Sequence, residues 1–215
     1  MKRIVVLFVL LGLAGCGGGR VDRGLDKAAG AARVAFAAIG IEGDMVCGDP
    51  ALIGEKIGPV SGNGACGIED AVLLRGVDGV ALSTPATIQC STAKALKTWV
   101  NSGARKAVGK RGGGVAELKV AASYACRTRN HQRGAKLSEH SKGNAIDIAA
   151  VLLKDGSEIS VLHHWGHGKD GAMLEKMHSA ACGPFGTVLG PRSDRFHRDH
   201  FHFDVAGYRS GPYCK

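Results

Sequence analysis

The chain has 215 residues, of which 45% are hydrophobic and 22% are charged. This length allows one domain with a hydrophobic core and excludes two large ones. The formal net charge is +9, but no basic run is dense enough for a nucleic-acid-binding arm and no recognition motif is present. A diffusely basic surface suits a polyanion, and bacterial cell wall, anionic lipid or nucleic acid would each fit on charge alone. The export signal described next disfavours nucleic acid, so we expect none as a partner.

The N-terminus predicts export. The basic start MKR (1–3) is followed by the apolar run IVVLFVLLGLAG, which is shorter than the roughly 20 residues that span a bilayer and is typical of a signal peptide. The run ends in LAGC (13–16), which resembles the lipobox of bacterial lipoproteins. We therefore expect residues 1–15 to be a lipoprotein signal peptide and Cys16 to be lipidated and attached to the membrane. Gly17 is not the aspartate that retains such proteins in the inner membrane, so we expect a periplasmic location, anchored to the outer membrane.

Residues 16–44 are rich in Gly and Ala and are predicted to be a lipid-anchored tether, followed by a domain over 45–215. Besides Cys16 there are six cysteines, namely Cys47, Cys66, Cys90, Cys126, Cys182 and Cys214. An even number in an oxidising compartment predicts disulfides. Because Cys47 and Cys66 bracket a loop rich in Gly and Pro, we predict that they pair, and the pairing of the other four stays open.

The domain mixes strands and helices. We predict strands at 71–77, 115–126, 145–153, 158–162, 187–190 and 201–206, a hairpin turn at 154–157, a polar loop at 127–139, and helices at about 87–108 and from Asp170 to about 181. The first helix is introduced by Ser83-Thr84-Pro85, and its Trp99 is expected in the core. Since there is no regular βαβ alternation, the predicted fold class is α+β, a single domain with a mostly antiparallel sheet and flanking helices.

Two segments carry the residues that indicate chemistry. In the first, His140 lies in a polar loop and Asp147 lies inside the apolar strand 145–153. A carboxylate in such a strand is costly to bury unless it is paired, and coordination of a cation removes that cost.

The second segment, 196–204, holds three histidines and two aspartates, namely His197, His200, His202, Asp199 and Asp204. Residues two apart on an extended strand share a face. His200, His202 and Asp204 would therefore point one way, and Phe201 and Phe203 the other.

These donors are those that zinc prefers. Catalytic zinc sites commonly use three protein ligands and leave a fourth position for water. The bound water loses a proton near neutral pH and can then attack a carbonyl. His140, Asp147 and one histidine of the second segment supply such a set, and a neighbouring Asp or His would take the proton. We therefore predict Zn²⁺ as the cofactor.

The motif SxHxxGxAxD (138–147), followed by the histidine cluster, resembles the superfamily of lysostaphin, D-Ala-D-Ala metallopeptidases and the hedgehog signalling domain. The chain is most similar to the bacterial extensin-like C-terminal domain family over roughly 45–214. The matching stretches are CRTRN (126–130), SEHSKGNAIDIAA (138–150), FGTVLGP (185–191) and HRDHFHFDV (197–205). The resemblance implies a hedgehog/DD-peptidase-like fold.

The resemblance also implies the metal ligands and the base. His140, Asp147 and His202 match the three zinc ligands of the superfamily. Asp199 matches the catalytic carboxylate of the dipeptidases, whereas His200 matches the catalytic histidine of the murein endopeptidases. Both are therefore candidates for the general base, and we favour His200 with Asp199 assisting it.

Two further residues are matched in the loop 127–139. Arg127 corresponds to an arginine that would stabilise the oxyanion of the reaction or hold a substrate carboxylate. Ser138 corresponds to a serine that contacts substrate, although a structural hydrogen bond within the loop explains it equally well.

The function predicted from these features is zinc-dependent hydrolysis of peptide bonds in peptidoglycan stem peptides or cross-links. An alternative is a non-catalytic, zinc-containing lipoprotein module that binds cell wall or a protein. A third possibility is a structural lipoprotein braced by disulfides and without a metal. The same ligands serve endopeptidases, carboxypeptidases and dipeptidases, so the sequence leaves open which bond would be cut.

Overall fold

The computed structural model of the protein describes residues 40–208 and 210–215, together with the isolated positions 24 and 30. The predicted signal peptide, the predicted lipidation site Cys16 and nearly all of the predicted tether lie outside these residues. Within the described ranges, no helix is both long enough and apolar enough to cross a membrane.

One large sheet organises the described part of the chain. Its strands are β1 (Asp44–Val46), β2 (Asp49–Ser61), β3 (Gly67–Val77), β4 (Val80–Gln89), β5 (Val115–Ala122), β6 (Ala145–Leu153), β7 (Glu158–Ser160), β8 (Thr187–Leu189), β9 (Phe201–Asp204) and β10 (Tyr213–Cys214). The order across the sheet is β1-β2-β3-β4-β5-β6-β9-β8-β10, and β7 pairs with β6 beside β9. The pairs β4–β5 and β8–β10 are parallel and the others are antiparallel. The mixed sheet with a few helices confirms the predicted α+β class.

The helices are α1 (Cys90–Trp99), α2 (Arg105–Val108), α3 (Val161–His164) and α4 (Gly168–Ala181). A π-helical turn, Val100–Ala104, joins α1 to α2. Short 3-10 turns occur at Arg111–Gly113, Arg129–His131 and Glu139–Lys142. The loop predicted at 127–139 therefore contains one of these turns.

The core lies between the sheet and the helices α1 and α4. Trp99 is fully buried, as predicted, and its ring packs edge-on against Phe203 with 5.0 Å between centroids. Its indole N–H donates to the carbonyl of Met177 in α4 at 2.8 Å, which satisfies the one polar atom of the side chain. This packing holds β9 against both helices.

The disulfides correct the sequence prediction. Cys47 pairs with Cys90, Cys66 with Cys126, and Cys182 with Cys214, so the predicted Cys47–Cys66 bridge is wrong. The stretch between these two residues is the 13-residue strand β2 and not a loop. At about 3.3 Å per residue such a strand spans roughly 40 Å, far beyond the reach of a disulfide.

Strand β2 was missed because its glycines and prolines are typical of loops. The ladder with β3 has three register shifts, which accommodate this sequence as bulges. Gly54 lies so close to β3 that an added Cβ would be 2.2 Å from the carbonyl oxygen of Leu73. The glycine is therefore needed for close strand pairing and does not indicate a turn.

Several element boundaries also differ. The strands predicted at 115–126, 187–190 and 201–206 end earlier, at Ala122, Leu189 and Asp204. Residues 80–89 form strand β4, so the helix predicted from about 87 begins at Cys90. The strand predicted at 158–162 ends at Ser160 and continues as α3. Helix α4 begins at Gly168, which places Asp170 in its first turn and not at its cap. The strand at 145–153 is observed as predicted.

Candidate metal centre

The pairing of β6 with β9 brings the two chemical segments together. Asp147 lies directly opposite His202, and Ile146 lies opposite Phe203. Because side chains alternate along a strand, Asp147 and His202 share one face of the sheet, while the phenylalanines enter the core on the other. The predicted alternation of faces along β9 is thus present.

The third residue, His140, is delivered by the 3-10 turn Glu139–Lys142. The turn ends at Gly143, whose left-handed backbone (φ of 68°) lets the chain enter β6. An added Cβ at Gly143 would lie 2.4 Å from the side chain of Ile68. The carbonyl of Gly143 accepts a hydrogen bond from Thr92 in α1 at 2.9 Å. A buried helix residue thus fixes the position of the turn.

The donor atoms of the three side chains converge on one point. His140 Nε2 lies 3.2 Å from Asp147 Oδ2 and 3.1 Å from His202 Nδ1, and His202 Nδ1 lies 2.9 Å from Asp147 Oδ1. All three residues are buried. Zinc ligands at about 2.0–2.1 Å in a tetrahedron are about 3.3 Å apart, so these separations are of the right size for the ion.

The outer nitrogens of both histidines have partners that orient the rings. His140 Nδ1–H donates to the carbonyl of Ser123 at 2.6 Å, which leaves the Nε2 lone pair directed inward. His202 Nε2–H donates to Asp204 Oδ2 at 3.2 Å, which leaves Nδ1 directed inward. Metal-binding histidines usually have such a second partner. The donor types, their spacing and their orientation all fit a zinc ion.

The electrostatics of the cluster favour a cation. Burial alone would raise the pKa of the Asp147 carboxyl, but hydrogen bonds with His140 and His202 hold that pKa far below its usual range. Burial alone would lower the pKa of His202, yet Asp147 and Asp204 raise it to about 9. Both shifts come from the attraction between the carboxylates and the histidine rings, so the site favours a positive charge, whether carried by a proton or by a metal.

The two candidate bases lie beside this cluster in different ways. His200 Nε2 is 3.7 Å from Asp147 Oδ2. Its Nδ1–H donates to Asp199 Oδ1 at 2.7 Å, and the Asp199 side chain is 63% exposed. His200 therefore faces the ligands and Asp199 lies behind it. The ring of His197 packs 5.3 Å from that of His200, and its Nδ1 pairs with Asp194 at 2.8 Å.

Two of the three clustered residues, Asp147 and His202, line a cleft of about 520 Å³, and His200 lines it beside them. Arg127 and Ser138 both line it, as do the sheet residues Thr187 and Leu189. Ser138 is buried, its carbonyl accepts a hydrogen bond from Ser141, and its N–H donates to the carbonyl of Arg127. A cleft of this volume accommodates a peptide segment.

A hydrogen-bonded group beside His140 was not predicted from the sequence. The buried carboxylate of Glu139 accepts hydrogen bonds from Asn144 Nδ2 at 2.8 Å and from the hydroxyl of Tyr208. Arg129 in turn donates to the Tyr208 hydroxyl at 2.6 Å. Burial opposes ionisation of Glu139, but these hydrogen bonds lower its pKa. Glu139 directly precedes His140, which is the only local signal for its role.

A family model described as "Extensin-like protein C-terminus" matches residues 52–215. The match includes every residue of the candidate metal centre and of the cleft. No curated protein and no solved structure matches the chain.

Proposed function

The chain belongs to the extensin-like protein C-terminus family, and we propose that it is a zinc-dependent peptidase that hydrolyses peptide bonds of bacterial peptidoglycan. The observation that carries this proposal is the convergence of His140 Nε2, His202 Nδ1 and the Asp147 carboxylate, with both rings oriented by outer partners. The similarity of these motifs to those of D-Ala-D-Ala metallopeptidases supports the same activity.

The chemistry divides between the ion and the chain. Bound zinc would supply Lewis acidity, which acidifies a water molecule and polarises the scissile carbonyl. His200 takes up the proton at Nε2, since its Nδ1–H is already donated to Asp199. The Asp199 carboxylate holds that tautomer and stabilises the imidazolium that forms. His200 is thus the general base and Asp199 its positioning partner.

Arg127 and Ser138 act on the substrate in this proposal. The half-buried guanidinium of Arg127 lines the cleft that contains the metal centre. It stabilises the oxyanion or holds a substrate carboxylate, because its planar N–H donors match both groups. Ser138 contributes the wall of the cleft next to it.

The proposed location follows from the N-terminal sequence. A lipid on Cys16 would anchor the protein in the outer membrane facing the periplasm, where peptidoglycan lies. The three disulfides fit an oxidising compartment. The basic net charge of +9 favours association with the anionic wall.

The test is digestion of purified muropeptides by the zinc-loaded protein, followed by mass analysis of the products. We expect cleavage that is lost on chelation and restored by zinc. His200→Ala should lower kcat by about 10²- to 10⁴-fold while zinc content stays at one ion per chain, because only proton transfer is removed. His202→Ala should lose both the bound zinc and the cleavage of muropeptides. The exposed His163 offers a matched control, since His163→Ala should change neither.

Two results would point elsewhere. Bound zinc without metal-dependent cleavage of any muropeptide would contradict the peptidase proposal and favour a non-catalytic module. Absence of zinc by elemental analysis, in protein purified without chelators, would contradict the metal centre itself.

A further inference from the structure

The segment between Cys126 and His140 forms a hairpin along one side of the cleft. Thr128 and Leu137 form an antiparallel bridge. Arg129 N–H donates to the carbonyl of Lys136 at 2.9 Å, and Ser138 N–H donates to that of Arg127 at 3.0 Å. Arg127 is thus opposite Ser138, and Arg129 is opposite Lys136.

This pairing puts all the cleft-lining residues of the two strands on one face. Side chains alternate, so Arg127, Arg129, Lys136 and Ser138 share the face turned away from Thr128 and Leu137. The former four line the cleft and the latter two do not. The hairpin presents three cationic side chains to the same cleft that Asp147 and His202 line.

The base and the tip of the hairpin are both fixed. The disulfide Cys66–Cys126 holds its first strand to the sheet, and the second strand leads directly to His140. At the tip, Thr128 Oγ1 donates to the carbonyl of Gln132 at 2.7 Å. Asn130 and His131, which also line the cleft, have positive φ values of 53° and 56°. Such backbone is uncommon for residues other than glycine and is concentrated at functional sites.

The positive charge on this face is only partly compensated within the cleft. Each carboxylate that lines the cleft already has hydrogen-bond partners of its own, namely Glu139, Asp147, Asp194 and Asp204. Among the described residues, neither Arg127 nor Lys136 has an acidic partner. Arg129 lies 4.0 Å from Glu139 and uses one N–H on Tyr208, which leaves donors free.

We propose that Arg129 and Lys136 form a subsite for a substrate carboxylate, so that the peptide bound at the metal centre is an anionic one. This inference rests on the proposed peptidase function and narrows its substrates to peptides with a free carboxylate a short distance from the scissile bond. Charge-assisted hydrogen bonds from Arg and Lys recognise such a group.

The experiment compares synthetic stem peptides in which each free carboxylate is converted to a carboxamide in turn. With the zinc-loaded protein, we expect one amidation to lower kcat/KM by about tenfold, since it removes charge-assisted hydrogen bonds. In Lys136→Gln and Arg129→Gln, that amidation should have little further effect. Arg133→Gln is the matched control, because Arg133 is on the same hairpin but is exposed and does not line the cleft. It should keep the full preference.

The possible outcomes test the carboxylate subsite separately from the peptidase activity. If no amidation changes kcat/KM, or if Lys136→Gln retains the preference, the subsite is overturned while the peptidase stands. If nothing is cleaved, calorimetric titration of the zinc-loaded protein with the same peptides decides. Carboxylate-dependent binding that is lost in Lys136→Gln supports the subsite without the enzyme, and equal or absent binding of all peptides overturns it.

Discussion

The two faces of strand β9 are both buried but are stabilised by different interactions. On one face, Phe203 packs between Trp99 and Phe185, with ring centroids 5.0 Å away in each case. On the other, His202 and Asp204 are held by hydrogen bonds of 2.9 to 3.2 Å. Dispersion and apolar burial do not depend on particular partner atoms, whereas the polar face depends on each one. Changes on the first face should therefore alter folding stability, and changes on the second should alter metal affinity.

The largest effect is expected on the core face. Phe203→Ala should lower the free energy of unfolding by about 3–5 kcal/mol, because it removes a fully buried ring and leaves a cavity. Urea unfolding with the disulfides intact measures this change. Under conditions where the variant is folded, its zinc content should equal that of the unaltered protein.

Phe203→Leu is the matched control, with a smaller loss of stability since part of the volume remains. A folded Phe203→Ala protein of normal stability that binds no zinc would contradict the separation of the two faces.

A smaller effect is expected on the polar face. Asp204→Asn should weaken zinc binding by about 10- to 100-fold, because the outer carboxylate that orients His202 and increases its basicity is removed. Competition with a chromophoric chelator measures the dissociation constant. Asp194→Asn is the control, since Asp194 holds His197, which is not one of the three ligands.

Equal zinc affinities in Asp204→Asn and in the unaltered protein would show that Asp204 does not support the ligand. If Asp204→Asn lowered the free energy of unfolding as much as Phe203→Ala does, the polar face would contribute to folding stability as strongly as the core face.

The features predicted well from the sequence are those set by neighbouring residues. The apolar run 145–153 is a strand throughout, and Asp147 stands out within it because a carboxylate is costly there. The alternation of Phe and His or Asp in β9 assigns its two faces correctly. Both segments are informative because strand periodicity and ligand chemistry are local properties.

The features that were missed depend on partners far away in the sequence. Strand β4 contains Pro85, which is tolerated because the ladder with β3 is irregular between Leu74 and Gly76. Cys47 pairs across the sheet with Cys90. The contact of Glu139 with Tyr208 spans 69 positions. In none of these cases does the neighbouring sequence indicate the distant partner.

The smallest predicted effect concerns a titratable side chain of helix α4 that packs against the core face of β9. His178 in α4 packs against Phe201 and Trp165, with centroids at 5.3 and 5.6 Å. Burial, helped by the charge of Arg192, lowers the pKa of His178 below its ordinary value of 6.5. The unfolded chain therefore binds the proton more readily than the folded one. The free energy of unfolding therefore keeps its full value above about pH 6.5, where the His178 ring is neutral in both states, and decreases as the pH falls below that value.

His178→Leu should remove this contribution, so the free energy of unfolding should fall less steeply from about pH 8 to about pH 5 than in the unaltered protein. Denaturant unfolding of both proteins in the presence of chelator measures the slopes without a contribution from zinc. The exposed His163 again gives a control, because His163→Leu should keep the original slope. If the free energy of unfolding of His178→Leu and of the unaltered protein depends on pH in the same way, the His178 ring accepts a proton in the folded protein as easily as in water. The core face of β9 would then tolerate a charged side chain packed against it, which contradicts its description as a face stabilised by apolar burial.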